Sequence, residues 1–430
     1  MLGSRPQLPR CEGTPLRRLK QERQGMNTKF KGFRRPDGAI GIRNHVLVLP
    51  TVSCVNRVAL DVATKTGAVT FSHPYGCTFD ALENTTTEDT FIGHGTHPNV
   101  GAVLVLSLGC ETASAKRIAD AIAATGKPVE TLVVQLGGGA RSTGQSGIEI
   151  VRDFQEQLEK EPQDEGDLSE LLIGLECGSS DAFSGLTANP AVGEAADTIV
   201  GHGGTVMLSE ITEMVGAEPV LFRRARDKTV QQRLMSLIKE YEIELSMTTQ
   251  DDSGVFISPG NIEGGLTTIE EKSLGCIHKA GTTPIVQVVD YGERPTEKGV
   301  VIMDSPGFDI SSVTGKVAAG AHMVLFTTGK GTPTGSAVAP VAKISSNNKT
   351  FEAMRDDIDL SAGDILEGTK SIAEVGEEIV DLVMAIARGN DVKSEYFNVQ
   401  EFAIPNVSVV RKEVIHRKLA EMNDYRYLEQ

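Results

Sequence analysis

No run of about 18 apolar residues occurs in this chain, which excludes a membrane-spanning helix. Positive charge is also short. Lys and Arg number 42 against 58 Asp and Glu, a net charge of −16. That balance argues against a nucleic-acid face, and an anionic small-molecule substrate would need a locally positive site or a metal. Tryptophan is absent and aromatic residues make up 5%. Six cysteines in 430 residues, with no C-x-x-C pair, exclude a disulfide scaffold and the paired ligands of a structural zinc site. They suit a reducing cytoplasm. No G-x-G-x-x-G follows the first strand, no Walker A loop occurs, and no G-x-S-x-G elbow is present. Dinucleotide, P-loop and serine-hydrolase chemistry therefore lack their signatures. No repeat of fixed period is seen.

What is present points to an α/β enzyme. The length implies two domains. The 45 glycines stand beside short apolar runs, as in tight loops after strands. The first residues differ from the rest. Arg5, Arg10, Arg17, Arg18, Lys20 and Arg23 face only Glu12 and Glu22, with no apolar core of a secretory signal. We expect a disordered tail over 1–28, with Met26 as the true start. Strands are expected at 45–50, 68–71, 102–106 and 130–135, then at 171–175, 300–303, 323–326 and 341–344. Helices are expected at 56–66, 113–125 and 228–241, with a long one from 364 to about 393. The rhythm of strand, polar glycine turn and helix implies parallel sheets with the turns on one edge. An acidic stretch around Pro162, over 155–168, reads as a linker. The expected fold is α/β, two domains each with a mainly parallel sheet flanked by helices, at 29–155 and 168–410.

One strand-end turn concentrates chemistry: Glu176-Cys177-Gly178-Ser179-Ser180-Asp181. Similar turns place His73 near Cys77, Cys110 beside Glu111, and Cys276 near His278, and Cys54 sits at a further strand end. Singly, each thiol reads as a small buried residue and the turn as a helix cap. Together they suit a borderline-soft metal: Fe(II), or else zinc or an iron–sulfur cluster. Gly329-Lys330-Gly331-Thr332 and Gly137-Gly138-Gly139 offer backbone N–H groups to an anion such as a carboxylate.

Several ordered stretches carry a resemblance. They are Phe33-Arg34-Arg35-Pro36-Asp37-Gly38 with Gly41-Ile42-Arg43-Asn44; Thr51-Val52-Ser53-Cys54; His73-Pro74-Tyr75-Gly76-Cys77; Leu108-Gly109-Cys110-Glu111; the Glu176 turn with Asn189-Pro190; Leu266 to Gly275; Met303-Asp304-Ser305-Pro306-Gly307; and Phe326-Thr327-Thr328-Gly329. In these the chain resembles the altronate/galactarate dehydratase family, which includes sulfolactate sulfo-lyase large subunits. The resemblance runs from about Phe30 to near Phe402. It departs after Cys77, which continues Thr78-Phe79-Asp80 where relatives carry Gly-Gln.

The resemblance implies a metal-dependent hydro-lyase that converts a 2,3-dihydroxy sugar acid, such as altronate or galactarate, to a 2-keto-3-deoxy acid. The alternatives are a sulfolactate sulfo-lyase large subunit, releasing sulfite to give pyruvate, and a non-catalytic subunit of such a complex. It implies Fe(II), with Mn(II) or an iron–sulfur cluster as alternatives, and a homo-oligomer. It further implies that a separate small subunit supplies the antifreeze-like domain of sugar-acid relatives. On that basis the metal ligands are expected to be His73, Cys77, Cys110, Cys177 and Glu176. Lys272 or His73 is expected as base, with Glu111 as a further catalytic candidate and burial lowering the Lys272 pKa. Arg43, Arg141 and Lys330 are expected to grip carboxylates. Thr267, Thr268, Thr327 and Thr328 are expected to meet substrate hydroxyls, with Asp304 orienting a ligand. For the threonines, simple helix capping stands as the alternative.

Overall fold

In the computed structural model residues 26–248, 257–407 and 409–423 are described. The basic N-terminal stretch, including Cys11, lies outside the described residues. Thirteen strands are found among them: β1 Lys29–Arg34, β2 Ile40–Gly41, β3 His45–Pro50, β4 Val100–Ser107, β5 Val129–Val133, β6 Asp164–Asp167, β7 Leu172–Gly178, β8 Thr205–Leu208, β9 Ile285–Val289, β10 Val300–Met303, β11 Met323–Thr328, β12 Val341–Ser345 and β13 Leu360–Ser361. They form a seven-stranded sheet in the order β13-β12-β11-β7-β8-β10-β9, a three-stranded sheet β3-β4-β5, and a small sheet β2-β1-β6. The first two are parallel throughout. The third is antiparallel.

The burial patterns explain why the parallel layers form. β4 and β7 are buried at every residue, as a strand covered on both faces must be. Helices Ala188–Gly201 and Ile372–Ala387 pack with the large sheet in one apolar cluster. Helices Asn56–Thr66 and Ala140–Leu158 cover the outer face of β3-β4-β5. A third cluster joins the two parallel sheets. Leu47, Leu49, Val103 and Val105 meet Val313, Val317, Val324 and Phe326, with Phe91 and Phe402 between them. Phe402 stacks on Phe71 at 4.1 Å between centroids.

In the large sheet the chain moves from β7 to β8 in one direction and from β11 to β12 in the other. The crevice between β7 and β11 is therefore a switch point, and ligands bind beyond the carboxyl ends of strands at such points.

Several expectations are corrected. Residues 68–71 make only an isolated bridge, Leu47 to Val69, because the Thr70 hydroxyl takes the Val48 carbonyl at 2.8 Å. The acidic stretch over 155–168 is no open linker: β6 pairs with β1 there. The helix Ala81–Thr96 was not anticipated. It is rich in Thr and Gly, which are poor helix formers, and the Asp80 carboxylate caps it by accepting from the Leu82 and Glu83 N–H groups. The C-terminal helix is shorter than expected, Ile372–Ala387, and Ser371 and Glu374 close a capping box at its start.

Buried histidines link the layers. The Leu172 N–H donates to His322 Nδ1 at 3.0 Å, and His322 Nε2 donates to the Ile40 carbonyl at 2.9 Å. Burial pushes His73, His94 and His322 down to about 4. They are neutral in the fold, whereas in the unfolded chain they take a proton near the ordinary value of 6.5. Between pH 6.5 and 4 the unfolded state therefore binds more protons, and stability falls as pH falls through that window. We expect a loss of roughly 2 kcal/mol per such histidine between pH 7.5 and pH 5. Urea unfolding of wild type and His322→Gln at both values checks it. The variant should show a smaller pH dependence.

Candidate active site

The carboxyl ends of β7, β8 and β10 converge on a buried polar cluster. β7 ends in Glu176, Cys177 and Gly178. The turn after β8 brings Glu210 and Glu213, both buried. Helix Ile269–Cys276 brings Lys272 and Cys276, and Lys279 follows it. Helix Asp309–Ala318, after β10, brings Asp309, Ser312 and Lys316. Ser179 and Glu210, at the two strand ends, hold left-handed backbone with φ of 52° and 62°. Such strain in non-glycine residues collects at functional sites.

Each of three carboxylates has its own ammonium group. Lys316 pairs with Glu176, which also accepts from the Ser312 hydroxyl at 2.7 Å. Lys279 lies 3.3 Å from Glu210, and Lys272 lies 2.7 Å from Glu213. The Cys177 thiol donates to Glu213 at 2.9 Å and lies 3.3 Å from the Cys276 sulfur.

These contacts set the protonation states. Burial alone would lower Lys272, but Glu213 and the two cysteines behind it outweigh burial, and its pKa is raised. The expectation of a lysine base with a lowered pKa is therefore corrected: Lys272 is held as an acid. Burial would raise Glu213, yet Lys272 and Lys279 hold it at about 2. Burial, then Glu176 and Glu213, push Glu210 well above the carboxylate range. Its Oε1 has no partner, nor has Glu176 Oε1. A proton on Glu210 is what lets two carboxyl groups stand this close in a dry site. The hydrogen bond to Cys276, with burial, pushes the Cys177 thiol well up. At Cys276 the reciprocal bond pulls down, but burial and Glu213 prevail.

A cavity of 560 Å³ opens beside this cluster, lined among others by Ser179, Thr212, Glu213, Asn261, Lys272, Asp309 and Lys330. Lys272 also reaches the Asn261 side-chain oxygen at 3.3 Å. Asp309 is pushed up to about 7, first by burial and then by Glu210 and Glu213. It approaches β7 so closely that a Cβ at Gly178 would meet its Oδ2 at 2.0 Å. The cavity thus holds a carboxyl group poised near neutrality opposite a fixed ammonium group. That combination can remove a carbon-bound proton and protonate a leaving group.

The sequence-derived site residues fall in three places. Glu176, Cys177, Lys272 and Lys330 are at this cluster and its cavity. His73, Cys77, Cys110 and Glu111 belong to the smaller parallel sheet. His73 is buried with both ring nitrogens used: Nε2 donates to the Pro50 carbonyl at 2.8 Å, and Nδ1 accepts from the Tyr75 N–H at 3.2 Å. It has no nitrogen free for a metal or a proton transfer. Glu111 accepts from Thr51, Ser107 and the N–H groups of its own loop. The remainder hold the fold. Arg43 forms a two-pronged pair with Glu395 and donates to three carbonyls. Thr267 donates to Glu271, and Thr268 caps helix Ile269–Cys276. Thr327 donates to Asn189, Thr328 accepts from Gly331, and Asp304 accepts from Tyr241. Arg141 is exposed in helix Ala140–Leu158.

Two sets of acidic or thiol ligand atoms lie within 4.8 Å of one another among the described residues: Cys177, Glu213 and Cys276; and Glu176, Glu210 and Asp309. Neither fits a divalent metal ion. The thiols are held protonated, and three lysine ammonium groups already balance the carboxylates. A further cation would stand against all three in a low-dielectric interior.

The comparisons with known proteins bear on the same region. Residues 168–410, which carry the whole cluster, match the model of the D-galactarate/altronate dehydratase C-terminal domain. Residues 32–159 match that of the D-galactarate dehydratase/altronate hydrolase second domain. The chain belongs to the galactarate/altronate dehydratase family. It is 36% identical to an altronate dehydratase of Bacillus subtilis over 393 residues, covering 88% of this chain and 78% of the relative. It is 35% identical to the (2R)-sulfolactate sulfo-lyase subunit beta of Chromohalobacter salexigens, covering 87% and 96%. It is 34% identical to a galactarate dehydratase (L-threo-forming) of Escherichia coli, covering 84% and 73%.

Glu210, Glu213, Asp309, Lys279 and Lys316 were not singled out as site residues from the sequence. The acids had a signal, since each follows a strand end. The two lysines had none. Replacing Lys316 by Met leaves Glu176 buried and unpaired, and we expect a loss of about 3–5 kcal/mol of stability. The double variant Glu176→Gln/Lys316→Met should recover most of it. Urea unfolding of both variants checks this.

Proposed function

We propose that this chain is a hydro-lyase that dehydrates a sugar acid to a 2-keto-3-deoxy acid. The observation that carries the reading is the pair Asp309 and Lys272 across one cavity, within the region that matches the family's C-terminal domain. The names of three relatives, altronate and galactarate dehydratases, supply the substrate class.

The acid–base roles follow from the protonation states. Asp309, as carboxylate, takes the proton on the carbon next to the substrate carboxylate. The electron pair moves into an enediolate, and the bond to the 3-hydroxyl breaks. Lys272 gives its proton to that hydroxyl, which leaves as water. The enol then tautomerises to the 2-keto acid. Lys330, partly exposed at the rim and paired with Glu263 at 3.0 Å, is placed to receive an anionic substrate. Glu213 and Glu210 act on Asp309 by charge, keeping its pKa near the working pH.

A second reading stays with it, because the match takes in 96% of the sulfo-lyase subunit. The same enediolate, with sulfite as leaving group, would give pyruvate from sulfolactate.

The test is a panel of aldonic and aldaric acids plus sulfolactate, with and without a small partner subunit, reading 2-keto-acid and sulfite. We expect a 2-keto-3-deoxy acid from one sugar acid. Asp309→Asn and Lys272→Met should each lower kcat/KM by about 10²–10⁴-fold. In wild type kcat/KM should rise with pH through about 7, as Asp309 loses its proton. Glu210→Gln, by removing the carboxylate form of a neighbour, should move that limb lower. A limb unmoved in Glu210→Gln, or full activity in Asp309→Asn, would remove the base from Asp309.

A further inference from the structure

Three of the five described cysteines take no part in the buried cluster. Cys54, Cys77 and Cys110 are free and exposed, whereas Cys177 and Cys276 are buried. The three come from separate loops, yet the backbone brings those loops to one sheet edge. β3 and β4 are parallel neighbours, with Pro50 beside Leu106. Cys54 and Cys110 each lie four residues beyond that pair, so both leave the same edge.

The segment carrying Cys77 lies between them. On one side the Ser53 N–H donates to the Tyr75 carbonyl at 3.0 Å. On the other, the Thr112 and Ala113 N–H groups donate to the Gly76 carbonyl at 3.1 and 3.2 Å. Gly76 has φ of +101°, and a Cβ there would stand 2.1 Å from the Thr51 carbonyl oxygen. Only glycine lets Cys77 sit between the two loops.

Glu111 locks the arrangement. One oxygen accepts from the Thr51 and Ser107 hydroxyls, each at 2.6 Å, and the other from the Gly109 and Cys110 N–H groups at 2.7 and 3.0 Å. The loops of Cys54 and Cys110 therefore share one carboxylate, and the Cys77 loop is wedged between them. The thiols themselves are almost unengaged, with a single contact from Gln135 Nε2 to the Cys110 sulfur at 3.5 Å.

Three exposed thiols on rigid, adjoining loops are a soft-metal ligand set. A single ion at about 2.3 Å from each sulfur would hold the sulfurs within about 4.6 Å of one another. The three thiols are not among the groups converging to within 4.8 Å. A cluster, whose metal atoms are themselves spaced apart, reaches sulfurs farther from one another. We propose that Cys54, Cys77 and Cys110 are the protein ligands of an iron–sulfur cluster. Each thiol loses its proton and forms one sulfur–iron bond to a cluster supplied whole. Three protein ligands leave one iron of a four-iron cluster open to a small molecule. The site stands apart from the acid–base cluster, so either assignment can fail without the other.

The test starts from the full chain purified and reconstituted anaerobically with iron and sulfide. Wild type and Cys177→Ser should hold iron and acid-labile sulfide in equal amounts, with visible sulfur-to-iron charge-transfer absorption. Cys54→Ser/Cys77→Ser/Cys110→Ser should hold neither while keeping the wild-type urea midpoint. Should that variant not fold, alkylation of wild type decides. Loaded protein should protect Cys54, Cys77 and Cys110 from iodoacetamide, and removal of iron by a chelator should expose all three together. Iron without sulfide, no iron at all, a cluster retained in the triple variant, or alkylation indifferent to loading would each overturn the proposal.

Discussion

Three lysine–carboxylate pairs buried at the carboxyl ends of parallel strands are the constraint on which this structure depends. Glu176, Glu210 and Glu213 enter the interior only because Lys316, Lys279 and Lys272 meet them there. Buried pairs of this kind add little net stability, but losing one partner is severe. Their effect is to fix protonation. Lys272 keeps its proton, Glu213 gives its up, Glu210 keeps one, and Asp309 is left near neutrality. A dry site has thus been made polar without a net charge that would unfold it.

The topology places that cluster. β7 is central, with β11 on one side and β8 on the other. Helix Asp309–Ala318 carries Asp309, Ser312 and Lys316 on the site side, and Val313 and Val317 into the core shared with the smaller sheet. One helix therefore couples the catalytic end of the large sheet to the packing between the sheets. The smaller sheet presents its own strand ends, with a different chemistry of exposed thiols and a carboxylate that organises loops.

Much of the fold was legible because buried parallel strands leave unbroken apolar runs. 45–50, 300–303 and 341–344 were placed to within a residue or so for that reason. Ala81–Thr96 was illegible because tertiary packing and the Asp80 cap, not propensity, make it a helix. In the site, strand-end position drew attention to Glu176, Cys177 and Lys272. The same signal marked His73, whose ring nitrogens are both taken by main-chain groups, and Arg43, whose guanidinium is spent on Glu395 and carbonyls. Residue type and spacing cannot distinguish a side chain offered to a ligand from one already satisfied.

By itself the sequence determined that strands end in polar turns, that those turns share edges, and that thiols and acids collect there. Local pattern is enough for this, because strand burial and turn chemistry are set within a few residues. Only the tertiary structure decided which turns meet. Cys77 and Cys110 share the edge of one sheet, Glu176 and Cys177 that of another, and Lys279 and Lys316 arrive from helices whose sequence shows no catalytic signal. Charge pairing in a low-dielectric interior acts across more than a hundred residues of chain, between Lys316 and Glu176, and no local pattern encodes it.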